Sequence, residues 1–184
     1  MVKNVYINAA HTSYSPGGVW GARTEHSDVL KFGRMLHMGL QRDKSISVQM
    51  FTGDIRRRSF SADDIVIILH RASNMKNSFS YGARVTVPEE ASSDIQYEAY
   101  RLLMSICGEN FFRMKGVHTE GRLHPRNSIN TLGTCRVFLF DLGYIDSWKD
   151  NRIFDKFYEN MAERLAEKIK EILKETKDED NGTV

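Results

Sequence analysis

The residues best suited to chemistry in this chain are two histidines and a glutamate, which occur in the order His11, Glu25 and His70. His11 follows the apolar run 5–7, and His70 directly follows the apolar run 65–69. Both are therefore expected at the carboxyl ends of strands, where open α/β sheets place their sites. Two imidazoles and one carboxylate are also the ligand set of a catalytic zinc ion, whose fourth position is left for water. The pattern predicts a zinc-dependent hydrolase.

Each of these three residues also has a purely structural interpretation. A single histidine is more often a hydrogen-bonded structural residue than a ligand, and a glutamate in the first turn of a helix is favoured by the helix dipole. A histidine at the end of a wholly apolar strand needs a polar partner, however, because an unpaired polar group is costly to bury. Two such histidines and one acid together favour a shared site.

The elements that must position these residues alternate along the chain as in an α/β domain. Short runs rich in β-branched and aromatic residues predict strands at 2–7, 46–51, 65–69, 83–87 and 137–140. Apolar residues spaced by three and four predict helices at 24–41, 92–107 and 153–173. The expected architecture is a single α/β domain with a twisted, mostly parallel sheet flanked by helices.

The first predicted helix brings Glu25 to its buried side. Thr24 is suited to be the N-cap of this helix, and Val29 begins its apolar stripe. Glu25 precedes Val29 by four residues, so the two side chains share one face of the helix. The Glu25 carboxylate is therefore expected to point toward the sheet.

Composition limits the possible classes of protein. With 184 residues, 41% hydrophobic and 27% charged, the chain suits one domain with its own core. A net charge of +2 is too small to require a polyanionic partner, and no nucleic-acid-binding motif is present. No apolar run approaches the length of a membrane span, and no signal peptide precedes the first strand. The polar segment 176–184 is expected to be a disordered tail or linker after a domain at 1–175.

Other reactive or charged residues have structural explanations. Cys107 and Cys135 lie in apolar surroundings without metal-binding spacing and are predicted to be buried free thiols, as in a reducing cytoplasm. The basic run 56–58 is best interpreted as a solvated loop or short helix. The remaining histidines are expected at the surface.

A set of short motifs along the chain resembles, in order and spacing, the zinc-dependent N-acetylmuramoyl-L-alanine amidases of the type 3 family, which cleave peptidoglycan. The resemblance extends from about residue 3 to about residue 173. The motifs are INAAH at 7–11, GG at 17–18, TEHS at 24–27, IILHRAS at 67–73, GARV at 82–85, KGV at 115–117 and VFLFDLGYID at 137–146.

This resemblance implies a fold, a substrate and a set of roles. The fold would be that of the type 3 amidases, with one zinc ion held by His11, Glu25 and His70. The reaction would be hydrolysis of the amide bond between N-acetylmuramic acid and the L-alanine of the stem peptide, and Asp141 would be the general base. The polar stretch with His118 and Glu120 would form a loop near the site. The absence of a signal peptide then implies synthesis in the cytoplasm and action at the bacterial wall after release, as with a phage endolysin.

The chain departs from the family pattern at several positions. The family usually has glycine at the positions of Ala10 and Thr12, and asparagine at the position of Ala72, which affects loop shape more than ligation. The fourth departure concerns the base itself, because the resemblance predicts glutamate where the chain has Asp141. Aspartate is shorter by one methylene, about 1.5 Å of reach, whereas catalytic groups tolerate a displacement of only roughly 0.5 Å.

The departure at Asp141 leaves alternatives open. Glu120 could supply a carboxylate if Asp141 is too short. The protein could instead be an amidase-like zinc domain that binds wall peptide with little or no turnover. A related zinc peptidase is a further alternative, although the short HxxE spacing of carboxypeptidases is absent between His11 and Glu25.

Overall fold

Eight strands and three helices make up a computed structural model that describes residues 3–55, 58–73, 80–120, 132 and 136–181. The strands are β1 (Lys3–Ala9), β2 (Val19–Trp20), β3 (Arg23–Thr24), β4 (Ile46–Thr52), β5 (Ile65–Ala72), β6 (Ala83–Pro88), β7 (Met114–Glu120) and β8 (Arg136–Tyr144). The helices are α1 (Glu25–Gln41), α2 (Ser93–Ser105) and α3 (Trp148–Asn181).

Six of the strands form one mixed sheet in the order β4-β1-β5-β8-β6-β7. Strands β4, β1, β5 and β8 pair in parallel, whereas β6 pairs antiparallel with β8 and parallel with β7. The carboxyl ends of β1, β5 and β8 therefore meet the amino ends of β6 and β7 at a single edge of the sheet, here called the site edge. The predicted single α/β domain with a mostly parallel sheet is confirmed.

All three helices pack on one face of this sheet. Alternate strand residues such as Ile7, Ile67 and Phe138 form the main core with buried residues of α1, α2 and α3. The opposite face carries a smaller cluster of strand residues with Ile55 and Leu132, and no residue of α1, α2 or α3 belongs to it. The sequence predicted helices flanking the sheet, but on this face the connection from β4 to β5 contributes Ile55 and Phe60 instead.

A capping side chain begins each of the first two helices, at the positions where the sequence predicted these helices to start. The Thr24 side chain accepts a hydrogen bond from the Ser27 amide at the start of α1, and Ser92 does the same for Ile95 at the start of α2. These side chains satisfy amide groups that have no partner within the helix. The prediction of both helix starts is confirmed.

Helix α3 is longer than predicted at both ends. It begins at Trp148, where the Asp150 amide donates to the hydroxyl of Ser147. Its backbone remains helical through residues 176–181, within the segment that the sequence predicted to be a disordered tail or linker. The added residues include lysine and glutamate, which have good helix propensity, and each one extends an existing helix by one hydrogen bond. Residues 182–184 lie outside the described residues.

Strand β7 is the main element that the sequence did not predict. Its residues were expected to form a polar loop, but they pair with β6 as the last strand of the sheet. An edge strand is exposed and therefore lacks the apolar pattern that identifies inner strands, and Gly116 interrupts it at a φ of 102°. The short hairpin formed by β2 and β3 was not predicted because each of these strands has only two residues, too few to show a period.

Two further predictions concern the cysteines and membrane spans. Cys107 is a buried free thiol, and burial raises its pKa to about 12, which makes it unreactive. Cys135 lies outside the described residues, as do Arg56 and Arg57 of the basic run.

Within the described part of the chain, no helix is both long and apolar enough to cross a membrane.

Replacement of Phe154 by alanine should lower the free energy of unfolding by about 3–5 kcal/mol. The Phe154 ring is only 1% exposed and packs from α3 against Phe32 of α1. Trp148 begins the same helix but is 66% exposed, so Trp148→Ala should change stability by no more than about 0.5 kcal/mol. Urea denaturation of both variants measures the difference. Equal losses would contradict this description of the core.

Candidate metal centre

His11, Glu25 and His70 converge at the site edge. Each offers one ligand atom, and these three atoms lie within 4.8 Å of one another. Glu25 lies between the imidazoles: its Oε1 is 2.8 Å from Nδ1 of His70, and its Oε2 is 3.2 Å from Nε2 of His11. The two rings are nearly perpendicular, with centroids 5.2 Å apart. The structure thus brings together the three residues that the sequence singled out.

The backbone at the end of β1 turns His11 toward the other two residues. Strands β1 and β5 are neighbours, and the Ala10 amide extends their pairing by donating to the Leu69 carbonyl. His11 then adopts a φ of 69°, the left-handed conformation, and its carbonyl accepts from the Gly53 amide. Residues other than glycine rarely adopt this conformation, and when they do they often lie at functional sites.

The Glu25 carboxylate is buried and fully engaged. The amide of Gly18 donates to Oε2 at 2.9 Å, and the amide of Arg71 donates to Oε1 at 3.0 Å. Burial by itself raises the pKa of Glu25, but the hydrogen bonds from His11, His70 and Gly18 outweigh it and hold the pKa well below its usual range. Glu25 is therefore a carboxylate at neutral pH.

The donor types fit a zinc ion, and the side chains lie close enough to close around one. Bonds of about 2.0–2.1 Å in a tetrahedral site place neighbouring donors about 3.3 Å apart. The 3.2 Å from His11 is measured to Oε2 of Glu25 and the 2.8 Å from His70 to Oε1, and the three candidate ligand atoms lie within 4.8 Å of one another. The widest pair would therefore have to close by up to about 1.5 Å around the ion. The His11 and His70 side chains are 28% and 30% exposed, so solvent can reach the cluster.

Gly17 and Gly18 form a strap directly over the carboxylate. A Cβ atom at Gly17 would lie 2.5 Å from Oε2 of Glu25 and 2.6 Å from the ring of His11, and its φ is +76°. Both the space and the backbone conformation therefore require glycine at this position. The sequence motif identified the two glycines, but not their contact with the ligand residues.

Arg71 supports the residues that carry the ligand candidates, a role that the sequence did not reveal. Its guanidinium is buried, and its Nη1 donates to Asp28 at 2.6 Å. Burial lowers the pKa of Arg71 to about 10, so the residue remains charged at neutral pH. Asp28 lies one helical turn after Glu25, and Arg71 follows His70. The ion pair therefore clamps the two elements that carry these ligand candidates.

The same guanidinium extends the clamp to the end of β8 and to α3. Its Nη2 donates to the Tyr144 carbonyl at 3.0 Å and to Oδ1 of Asn151 at 2.7 Å, and its centre lies 4.8 Å from the ring centroid of Phe154. A charged residue immediately after an apolar strand was a detectable signal, because such a charge must have a buried partner.

Asp141 lies inside β8 rather than after it. Its Cα is paired with that of His70 on one neighbouring strand and with that of Arg84 on the other. Nε of Arg84 donates to Oδ2 of Asp141 at 2.5 Å. Asp141 therefore lies beside the His/Glu/His cluster without belonging to it. His70, Asp141 and Arg84 form a row across three strands, about 4.8 Å apart.

Glu120 does not lie in a loop at the site edge, as the sequence suggested. It is the last residue of β7 and pairs with Pro88, the last residue of β6. Pro88 follows Arg84 by four positions, a distance of about 13 Å along the strand. The described part of the segment is an edge strand and not a loop, although the charge of Glu120 still raises the pKa of Arg84. Residues 121–127 of the polar stretch lie outside the described residues. His118 lies on the same strand and pairs with Thr86 of β6.

Alanine at Gly17 should disturb the cluster far more than alanine at Gly21. Both glycines have positive φ, so each substitution should cost about 1 kcal/mol through the backbone. Only Gly17→Ala also displaces Glu25 and His11, since a Cβ at Gly21 meets no atom within 4 Å. Urea denaturation should give similar losses of stability from the backbone in both variants. Titration with zinc should show binding weakened by at least about tenfold for Gly17→Ala alone. Equal zinc affinities of the two variants would contradict the close contact of Gly17 with Glu25 and His11.

Comparisons with known proteins place this geometry in a recognised fold. No model of a known protein family matches the sequence, and no curated protein sequence matches it. Solved structures do match. An N-acetylmuramoyl-L-alanine amidase from Clostridium difficile 630 has a TM-score of 0.78 and 18% identity over 94% of this chain and 97% of that chain.

Two further structures agree. An N-acetylmuramoyl-L-alanine amidase of Nostoc punctiforme has a TM-score of 0.77 and 19% identity, covering 95% of this chain and 98% of its own. The catalytic domain of an endolysin targeting Clostridia difficile has a TM-score of 0.71 and 16% identity, covering 91% and 96%. The chain therefore has the fold of the N-acetylmuramoyl-L-alanine amidases over nearly its whole length.

Proposed function

We propose that the protein is a peptidoglycan hydrolase that cleaves the amide bond between N-acetylmuramic acid and the L-alanine of the stem peptide. The observation that carries this proposal is a buried carboxylate between two histidines, at the site edge of a chain whose fold matches amidases over more than nine-tenths of its length. The catalytic domain is proposed to span residues 1–175, and its partner is peptidoglycan of the bacterial wall.

His11, Glu25 and His70 are the proposed zinc ligands. The ionised Glu25 and two nitrogen donors supply the ligand set of a catalytic zinc site, and the partial exposure of both imidazoles leaves an open side for substrate. A zinc ion bound there would polarise the scissile carbonyl and lower the pKa of water toward 7.

Asp141 is the proposed proton acceptor. It lies beside His70 on the neighbouring strand, which supports a position next to the attacking water. The carboxylate takes a proton from the water as the new C–O bond forms, and returns it to the L-alanine nitrogen as the C–N bond breaks. The products are a free peptide amino terminus and an intact glycan chain.

One observation favours a second candidate, a domain that binds wall peptide with little turnover. Asp141 has a short side chain, and one of its oxygens is already held by Arg84. If this ion pair withdraws the carboxylate from the reaction, zinc and peptide would bind without efficient cleavage. The experiments below separate binding from turnover.

Zinc binding should depend on both histidines of the cluster. His11→Ala and His70→Ala are each expected to reduce bound zinc from about one ion per chain to a small fraction, because two protein ligands no longer hold the ion firmly. His118→Ala is the matched control, since this histidine is exposed on β7. Metal analysis of purified protein measures the content. Full occupancy in the double variant His11→Ala, His70→Ala would refute the assignment.

Digestion of purified peptidoglycan should release new amino termini on L-alanine and no new reducing sugar ends. Amino-terminal labelling and a reducing-sugar assay distinguish the two products. New reducing ends would indicate a glycosidase, and new amino termini on other residues would indicate a peptidase. Binding of muropeptide without either product would favour the second candidate.

Asp141→Asn should lower turnover by roughly 10²-fold or more while zinc content stays the same, because the amide has nearly the same shape but cannot accept the proton. Asp141→Glu tests the fit of the shorter side chain. Higher turnover would show that aspartate weakens the site, whereas equal or lower turnover would show that the site is built around it. Full activity of Asp141→Asn would remove Asp141 from the mechanism.

A further inference from the structure

Among the described residues, Arg84 alone donates a hydrogen bond to the Asp141 side chain, and it reaches the carboxylate from the side opposite to His70. The contact joins Nε of Arg84 to Oδ2 of Asp141, and the two residues are directly paired across antiparallel strands. Residues directly opposite each other in such a pair hold their side chains on the same face. The ion pair is therefore built into the register of β6 and β8.

The contact engages only one of the two carboxylate oxygens of Asp141. Arg84 holds Oδ2, whereas no described residue donates a hydrogen bond to Oδ1. The Asp141 side chain is 9% exposed and that of Arg84 is 38% exposed, so the guanidinium can be reached by solvent while the carboxylate is screened.

Arg84 is suited to hold this contact at neutral pH. Burial lowers the pKa of Arg84, but the charge and hydrogen bond of Asp141 raise it above its usual value, with smaller contributions from Tyr144 and Glu120. Charge-assisted hydrogen bonds of this kind are short and directional. A rotating aspartate side chain would thereby be confined to one orientation.

We propose that Arg84 is a positioning residue that orients Asp141 for proton transfer, with Oδ2 held and Oδ1 presented to the reacting water. This inference rests on the proposed amidase function and extends it to a residue outside the ligand set and the base. The ion pair with Arg84 is then part of the catalytic arrangement and not a lock on it.

The test measures kcat and KM for muropeptide cleavage in the full chain. Arg84→Gln should lower kcat by about 10- to 100-fold, the scale expected for a misplaced catalytic group, with KM and zinc content changed less than about twofold. Arg84→Lys should recover part of the lost kcat. Arg136→Gln is the matched control, because Arg136 forms a similar ion pair with Glu98 at the opposite end of β8; its kcat should match wild type.

A double-variant comparison separates positioning from a general structural role. If Arg84 acts through Asp141, Arg84→Gln should cause no further loss of kcat in the Asp141→Asn background. Losses that multiply, a change confined to KM, or a kcat that is unchanged or higher in Arg84→Gln would each overturn the inference. A wild-type protein that releases no L-alanine amino termini would overturn the proposed function as well, whereas an active wild type with an indifferent Arg84 would overturn the positioning role alone.

Discussion

The buried negative charge of Glu25 is the constraint around which the site edge is organised. A carboxylate removed from water is stable only when its oxygens have partners, and losing one partner of a buried charge is strongly destabilising. Here four partners come from three separate segments: the imidazole of His11, the amide of Gly18, and the imidazole of His70 together with the amide of Arg71. The same contacts that make the charge tolerable also collect the ligand candidates. The stability of this edge and the proposed metal affinity therefore both depend on one carboxylate.

Around this carboxylate, Arg71 links parts of the fold that are distant along the chain. Its amide holds Glu25, while its guanidinium pairs with Asp28 on α1 and reaches the end of β8 and Asn151 on α3. A buried arginine can make several fixed hydrogen bonds at once because its donors lie in one rigid plane. This clamp prevents α1 from sliding against β5, a movement that would separate Glu25 from His70.

The proposed reacting part of the site lies one strand farther along, where His70, Asp141 and Arg84 form a row on the face opposite to α1, α2 and α3. In the proposed mechanism, this row would order three functions in space: metal ligation, proton transfer and orientation of the carboxylate. Strand pairing sets the spacing between the three residues, and the contact with Arg84 fixes which way the short Asp141 side chain is turned.

The sequence by itself determined the ligand types, the starts of α1 and α2 and the central strands, because caps, apolar periodicity and β-branched runs are local signals. It also indicated the place of Glu25 on the buried side of α1. It did not reveal the roles of Arg71 and Arg84, whose partners Asp28 and Asp141 lie 43 and 57 residues away. Nor did it place Glu120 on an edge strand that leads away from the site. Those features depend on strand order and register, which arise only when distant segments pair.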